Sequence, residues 1–483
     1  MNQIAPAPLF RVSFTGGESR NWALDEDLDQ VRRAAEGVAV EAHDRDATIL
    51  HSVWPLMTAQ APTRQVASRR VITHMPGEPR RYLSAPEFRE AVRRTTLWVN
   101  RSRQAEAQLS ALGIESRHLP YAINPDIFRP ADLSPGDRGA ARLRLGIPDN
   151  AFVVASFQRD SEGADLSRPK LVKGPDIFAD AVAALRDCGG LPVHVLLAGP
   201  RRHWLRARLR ELGIPFSFVG RETVDEDSDV NILPRQRLAE LYALSDLYLV
   251  ASRSEGGPHA VLEAAACRCP IISTPVGIAP DVLAPETLFV NIQDLGRRVG
   301  DAAWLAAVRA CVPVHCQRVI TNHVPASIRS ALSDLYQAAL QGPVAMSPRR
   351  RAPSRLRRAV PLPLVSEDPS LAERFGLAAW PRFPLPGLQA KVAGGTILVG
   401  RHDRNAPLPA GSGTLYVTVP RGSEGAAADR IGIAGRPDRV VALAEDFDTA
   451  CALVDHGVAL SSIVVPPTGG MGAAFLRDLR RWE

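Results

Sequence analysis

The stretch over residues 247–282 constrains the fold most, because a strand, a glycine-rich turn and a helix start follow one another there. Residues 247–250 (LYLV) form a short apolar run of the kind found in buried strands of parallel sheets. A turn over 252–257 comes next, then strong helix formers over 260–266, and Pro270 ends that helix. Strands that alternate with helices in this way predict a parallel α/β layer.

The start of this helix is a candidate anion site. Gly256 and Gly257 permit close approach of a ligand to the backbone, and Pro258 stands where a missing N–H costs nothing. Free N–H groups and the positive end of the helix dipole both face such a turn. We therefore assign Ser254, Gly256, Gly257, Pro258 and His259 to a ligand-binding site.

Two carboxylates mark the same unit. Glu255 lies in the turn and Glu263 lies eight residues further on, inside the helix. A carboxylate accepts hydrogen bonds from two hydroxyl groups, so this spacing suits the vicinal hydroxyls of a ribose or a hexose. For Glu263 a position on a solvated helix face is an equally good interpretation.

The full string EGGPHAVLEAAACRCPIISTPVG resembles the donor-site motif of the retaining GT-B glycosyltransferases of the group 1 type, with its E-x7-E pattern. The resemblance implies two Rossmann-like parallel-sheet domains that face a cleft. It also implies a nucleotide-diphosphate sugar as donor, retention of the anomeric configuration, and no metal or other cofactor. Glu255 would then bind the donor sugar, and Glu263 the ribose hydroxyls.

Cations in front of a second helix fit this interpretation. Only three of the 58 basic residues are lysines, a bias typical of a GC-rich bacterial genome that does not by itself indicate nucleic-acid binding. Two of them, Lys170 and Lys173, precede a Gly-Pro helix start, and a compact ammonium suits a diphosphate. In the family, an arginine after the preceding strand and the lysine before the glycine neutralise the leaving diphosphate. The matching positions are Arg159 and Lys173, with Lys170 as a rival and two solvated loop lysines as the alternative.

The N-terminal half contributes weaker signals. Residues 9–14 predict a strand that runs into Gly16 and Gly17, which suit a nucleotide or acceptor site or a plain tight turn. His74 ends another predicted strand, at the edge where open parallel sheets bind ligands. The family resemblance implies that His74 approaches the donor sugar or the acceptor, whereas a packed core histidine is the alternative.

Three further assignments complete the donor site. By the same resemblance, the backbone around Ile232 and Leu233 would hold the nucleotide base. Gly199, at the end of a predicted strand over 193–199, is assigned to the donor as well. We see no Asp-x-Asp metal pair near the site, so cations and helix dipoles are expected in place of a metal.

Four segments are predicted along the chain. Residues 1–130 form a Rossmann-like acceptor domain, and residues 131–342 form the donor domain, whose last helix crosses back. Residues 343–365 form an Arg/Pro-rich linker, either a solvated spacer or a contact for anionic membrane lipids. Residues 366–483 form a small α/β domain of unknown function.

These observations predict a glycosyltransferase that moves a sugar from a nucleotide-diphosphate sugar to a glycan, lipid or small-molecule acceptor. The alternative is a catalytically degenerate GT-B protein that serves for binding or as a scaffold. An NAD-dependent dehydrogenase is disfavoured, because no strand-linked G-x-G-x-x-G is present. Six scattered cysteines, no signal peptide and no apolar run near 20 residues predict a cytoplasmic protein, with peripheral contact to the inner membrane face as an option.

Overall fold

The computed structural model describes residues 10–16, 23–43, 45–83 and 85–342. C-terminal to these it describes residues 364–365, 377–378, 388–392, 395–399, 414–419, 440–444, 449, 452–453, 456 and 463–464. Gly17 and nearly all of the predicted linker lie outside the described residues.

The N-terminal domain is built on six parallel strands. These are β1 (Phe10–Thr15), β2 (Ala39–Glu41), β3 (Ile49–Ser52), β4 (Arg70–Met75), β5 (Leu97–Asn100) and β6 (Ser116–His118). Their order in the sheet is β2-β1-β3-β4-β5-β6. The central strand β3 is buried along its whole length, as expected of a parallel strand covered on both faces. The edge strands β2 and β6 are three residues long and mostly exposed, so no apolar run in the sequence predicts them.

The central domain is built on a second parallel sheet of five strands. These are β7 (Phe152–Ser156), β8 (Val193–Ala198), β9 (Phe216–Val219), β10 (Leu247–Val250) and β11 (Ile271–Ser273). Their order is β11-β10-β7-β8-β9, which places β10 beside β7 near the middle. The sequence also favours a weak strand near residues 288–290, but only an isolated bridge between Ser273 and Leu288 forms there.

Helices cover both sheets. They are α1 (Ala23–Ala35), α2 (Pro55–Gln60), α3 (Thr63–Val66), α4 (Pro86–Arg94), α5 (Arg103–Ala111), α6 (Pro135–Arg144), α7 (Pro175–Asp187), α8 (His203–Glu211), α9 (Arg235–Leu244), α10 (His259–Ala266), α11 (Ala279–Val282), α12 (Ile292–Val299), α13 (Ala302–Ala310), α14 (Val312–Asn322) and α15 (Pro325–Gln341). Within the described residues, none of the helices is both long and apolar enough to cross a bilayer.

The last of these helices, α15, crosses back to the N-terminal domain as predicted. Its apolar face, with Leu332, Leu335 and Tyr336, packs in one core with Ile49 and Ile72 of the first sheet. The helix therefore joins the end of the central domain to the N-terminal domain by burial of apolar surface.

The C-terminal part of the chain contains a third sheet. Its strands are β14 (Leu388–Val392), β15 (Gly395–Val399), β16 (Thr414–Val419), β17 (Val440–Ala444) and β18 (Ile463–Val464), and two short strands, β12 (Leu364–Val365) and β13 (Leu377–Ala378), pair with each other. Neighbours in the five-stranded sheet are parallel except β14 and β15. Residues 447–456, where the sequence also favours a helix, lie largely outside the described residues.

Candidate active site

The turn over 252–257 connects β10 to α10 and lies against the segment that precedes α7. The backbone N–H of Arg253 donates to the carbonyl of Val172 at 2.9 Å. The next N–H, of Ser254, points to the same carbonyl at 3.4 Å. Two segments that are far apart in sequence are thereby joined at the carboxyl edge of the second sheet, where open α/β sheets bind ligands.

An ion pair between Lys173 and Glu255 lies at this junction. The Nζ atom of Lys173 is 2.7 Å from Oε1 and 2.8 Å from Oε2 of Glu255. The Oε1 atom also accepts a hydrogen bond from the Ser252 hydroxyl at 2.8 Å. The Glu255 side chain is 8% exposed and that of Lys173 is 26% exposed. The structure thus brings these two predicted residues into direct contact, with the ammonium on the more open side.

Lys170 and Arg159 lie near the same ion pair. Burial lowers the pKa of Lys170 to about 8, and the neighbouring charges of Arg159, Lys173 and Arg201 contribute. Glu162 opposes this shift. The predicted cations therefore form one cluster, in which like charges crowd each other at neutral pH.

Gly174, which immediately precedes α7, packs closely against Ala251, the residue after β10. Its φ angle is +60°, in the left-handed region, and an added Cβ would lie 1.8 Å from the carbonyl oxygen of Ala251. Only glycine meets both requirements. Gly199 also has a positive φ, +88°, and lies against the Phe157 carbonyl at the end of β8.

Glu263 does not lie on a solvated helix face. The residue is 4% exposed, and its two oxygens accept hydrogen bonds from Arg235 and Tyr242, each at 2.9 Å. Burial raises the pKa of Glu263, while the Arg235 guanidinium lowers it and favours the carboxylate. Neither Arg235 nor Tyr242 was predicted from the sequence; the only signal is that Arg235 begins the helix after Ile232 and Leu233.

Ile232 and Leu233 occupy the segment that the sequence assigns to the nucleotide base. Leu233 packs against the core of the central domain, and Ile232 is half-buried. His259 begins α10, and its ring lies 4.9 Å from that of Tyr121 in an edge-on arrangement. Burial lowers the pKa of His259 to about 4, so its imidazole is neutral at pH 7. Its buried Nδ1 atom has no hydrogen-bond partner among the described residues.

The two domains touch at Gly256 and Gly257. A Cβ added to Gly256 would lie 1.7 Å from the carbonyl oxygen of Pro76, in the loop after β4. A Cβ added to Gly257 would lie 1.9 Å from the ring of Tyr121. The close approach that these glycines permit is therefore, in this structure, an approach by the N-terminal domain.

Further contacts close the same interface. Arg235 lies 3.4 Å from Glu26 of α1, so its guanidinium bridges a carboxylate in each domain. The N–H of Gly277 donates to Gln104 at the start of α5 at 2.8 Å. Asp281 accepts a hydrogen bond from the N–H of Arg103 at 3.0 Å. The turn over 252–257, Arg235 and the segment over 277–281 are thus held against the N-terminal domain.

His74 lies in a buried polar chain within that domain. Its Nε2 is 2.7 Å from Nε2 of His51, whose Nδ1 is 3.0 Å from the hydroxyl of Tyr336. Its Nδ1 lies 3.6 Å from Asp27, which pairs with Arg101. Because Nδ1 faces a carboxylate, we assign the proton there. Tyr336 then donates to His51, and His51 donates to His74.

This arrangement favours the alternative for His74, a packed core histidine. Burial lowers the pKa of His74 and His51 well below the usual value, with a further contribution from Arg101, and both side chains are fully buried. With its two ring nitrogens turned to His51 and Asp27, His74 presents neither to a ligand. The chain continues outward, however, because Arg101 lies 4.2 Å over the ring of Tyr121, which contacts Gly257. His74 is therefore connected to the turn over 252–257 through Asp27, Arg101 and Tyr121.

Gly16 follows β1 with a φ angle of +127°, a conformation that favours glycine. An added Cβ there would lie 2.5 Å from the Val53 side chain. Among the described residues, no group of three or more His, Cys, Asp or Glu side chains could hold a metal ion. An Asp-x-Asp triplet, Asp25 to Asp27, does reach the domain interface, contrary to the sequence interpretation. Its Asp27 pairs with Arg101, and its Glu26 contacts Arg235.

A separate open cleft of about 750 Å³ lies beside α7 and α8. His203, Trp204, Arg206 and Glu222 are among the residues that line it. None of the sequence-predicted site residues lines this cleft.

Parts of the chain are similar to known proteins. Residues 166–303 match a family described as glycosyl transferases group 1. The D-inositol 3-phosphate glycosyltransferase of Rhodococcus erythropolis is 32% identical over 278 residues, which cover 50% of this chain and 57% of that protein. The enzyme of the same name from Stackebrandtia nassauensis is 29% identical over 259 residues, 49% of this chain and 51% of that protein. The chain thus spans about half the length of these curated relatives.

The fold is also found in a solved structure. Anabaena HepE in complex with UDP has a TM-score of 0.52 and 16% sequence identity, and the match covers 68% of this chain and 100% of that one. The predicted GT-B architecture, with two parallel-sheet Rossmann-like domains facing each other, is confirmed.

Proposed function

We propose that this protein is a glycosyltransferase that moves a sugar from a nucleotide-diphosphate sugar to an acceptor. The observation that carries the proposal is the junction of Lys173, Glu255 and the turn before α10, with Arg159 and Lys170 beside it. Cleavage of a sugar–phosphate bond leaves negative charge on the diphosphate. Preplaced cations and a helix N-terminus stabilise such charge.

The comparisons support a nucleotide sugar as donor. The match over 166–303 to glycosyl transferases group 1 includes Lys170, Lys173, Glu255 and Glu263. HepE, which has a similar fold, has been crystallised with UDP and with UDP-glucose. We therefore propose UDP-glucose as the first donor to test, and a hydroxylated glycan, lipid or small molecule as acceptor.

Retention of configuration and independence from metal ions are part of the proposal. The likeness of Glu255 and Glu263 to the paired glutamates of the retaining enzymes supports the first. The cation cluster supports the second, because it supplies charge that a divalent metal would otherwise provide. Product anomers resolved by NMR test retention, and turnover that persists in EDTA tests metal independence.

The deciding experiment is release of UDP from UDP-glucose, with and without candidate acceptors. Hydrolysis without acceptor distinguishes an enzyme from a degenerate binding protein. We expect Lys173→Ala to lower the rate by about 100-fold or more while the chain stays folded. The exposed Arg297 provides a matched control, and Arg297→Ala should leave the rate unchanged. A fully active double variant, Lys170→Ala with Lys173→Ala, would refute the charge assignment.

The cytoplasmic location and the contact of residues 343–365 with an anionic membrane surface are also proposals. The basis for the membrane contact is the six arginines over 343–363. Co-sedimentation of the full chain with anionic and with neutral vesicles tests the membrane contact.

A further inference from the structure

We propose that Arg235 is a positioning residue of the donor site: it holds the Glu263 carboxylate for the ribose hydroxyls and is itself held by Glu26 of the N-terminal domain. The inference rests on the proposed function, in which Glu263 binds the ribose. It deepens that function, because a carboxylate of the N-terminal domain then helps the central domain to recognise a ribonucleotide.

The guanidinium of Arg235 lies between two carboxylates. Its Nη1 donates to Oε1 of Glu263 at 2.9 Å, and its Nη2 lies 3.4 Å from Oε2 of Glu26. The other oxygen of Glu26 accepts a hydrogen bond from Gln30, one turn further along α1, at 2.7 Å. Each amino group of the guanidinium thus faces a carboxylate of a different domain, which fixes the plane of the group.

The place of Arg235 in its helix is unfavourable for a cation without partners. Arg235 is the first residue of α9, and no acidic residue lies in the first turn of that helix. A cation there faces the positive end of the helix dipole. The two carboxylates that offset this repulsion come from outside the helix. A residue that breaks a local rule and is stabilised by such tertiary contacts is expected at functional positions.

Glu263 depends on this cation to bind hydroxyl groups as a carboxylate. Burial raises the pKa of Glu263, whereas the Arg235 guanidinium and the hydrogen bond from Tyr242 lower it. Each oxygen keeps a second lone pair after these two contacts, so the ribose hydroxyls can donate to both. Hydrogen bonds to a carboxylate are stronger than those to a neutral carboxyl group. Loss of Arg235 should therefore weaken recognition of the ribose.

Glu26 acts on Glu263 in two opposite ways. As a like charge it raises the pKa of Glu263, so on charge alone its removal would strengthen the ribose contact. As a partner of Arg235, whose side chain is 25% exposed, it keeps the guanidinium from turning into solvent. We expect orientation to prevail, because Arg235 regains rotamer freedom when one of its two partners is removed. The direction of the effect of Glu26 thus separates positioning from charge.

Calorimetric titration of the full chain with UDP and with its 2′-deoxy and 3′-deoxy forms tests the inference. The readout is the dissociation constant of the deoxy form divided by that of UDP, which measures recognition of the missing hydroxyl. For at least one of the two hydroxyls we expect a ratio of about 10 or more in the wild type. The ratio should fall to about 2 in Arg235→Met and by about threefold in Glu26→Ala. The double variant should match Arg235→Met, because Glu26 acts through Arg235.

The matched control is Arg237→Met, because Arg237 lies on the same helix in an exposed ion pair with Glu240. This variant should keep the wild-type ratio. An unchanged ratio in Arg235→Met would overturn the inference, since a purely structural defect weakens the binding of all three ligands equally. A ratio that stays constant or rises in Glu26→Ala would overturn it as well.

The two variants also protect the test against misfolding. Thermal unfolding shows whether each variant is folded, and Glu26→Ala decides the question if Arg235→Met is not. If the wild type binds none of UDP, ADP and GDP, the proposed function itself is refuted. Binding of UDP with no preference over either deoxy form refutes only the present inference, because a nucleotide site would then exist without recognition of the ribose.

Discussion

The contact between Gly256 and the loop after β4 leads to a prediction whose size follows from the structure. An alanine Cβ at position 256 would lie 1.7 Å from the carbonyl oxygen of Pro76 and 2.2 Å from its carbon, whereas ordinary contact begins at 3.4 Å. Backbone stands on both sides, so no side-chain rotation relieves the overlap. The two loops must separate by about 1.7 Å, and a misplacement of about 1 Å can cost about 100-fold in rate.

We therefore expect Gly256→Ala to lower kcat/KM for sugar transfer by about 100-fold, about 2.7 kcal/mol of transition-state stabilisation. Release of UDP measures the rate, and urea unfolding measures stability in parallel. Gly296 on α12 provides the matched control, because an added Cβ there meets nothing within 4 Å. Gly296→Ala should keep full activity and gain about 0.5–1 kcal/mol of stability. If Gly256→Ala retained wild-type kinetics, the two loops would not be in contact in the working enzyme.

Two further predictions concern buried carboxylates. Asp27→Ala removes the partner of the fully buried Arg101, and it should lower the free energy of unfolding by about 3–5 kcal/mol in urea titrations. The control is Glu240→Ala at an exposed ion pair, which should change the free energy of unfolding by less than about 1 kcal/mol. Equal effects of the two variants would contradict the buried pair. Glu263→Gln should weaken UDP binding by about 10–100-fold in calorimetry, and removal of a ribose hydroxyl from the ligand should have a similar effect. When the variant is titrated with the ligand that lacks the hydroxyl, the loss of binding free energy should be smaller than the sum of the two separate losses. Additive losses would separate Glu263 from the ribose.

The sequence predicted the parts of the fold that local patterns determine. The turn 252–257, the helix after it and the strand before it follow from apolar runs, glycines and prolines within one stretch, and they occur as predicted. The short edge strands β2 and β6 were missed, because three exposed residues carry no periodic signal and form through pairing with a longer neighbour. The six-stranded first sheet could therefore be predicted only in its interior.

Several residues of the site could also be predicted from the sequence, but their ion-pair and hydrogen-bond partners could not. Lys173 was expected at the diphosphate and Glu255 at the donor sugar, yet their mutual ion pair joins positions 82 residues apart and depends on the fold. Arg235 was missed for the same reason, since its two carboxylate partners lie in different domains. The burial of His74 follows from how α1 and α15 close over the first sheet, which a strand-end position in the sequence does not determine.

A crystal structure of the full chain with UDP tests the diphosphate site most directly. The account predicts a diphosphate between Arg159, the two lysines Lys170 and Lys173, and the N–H groups that begin α10, with the ribose hydroxyls at Glu263. A nucleotide bound instead in the open cleft beside His203 and Trp204, with the turn before α10 vacant, would contradict it.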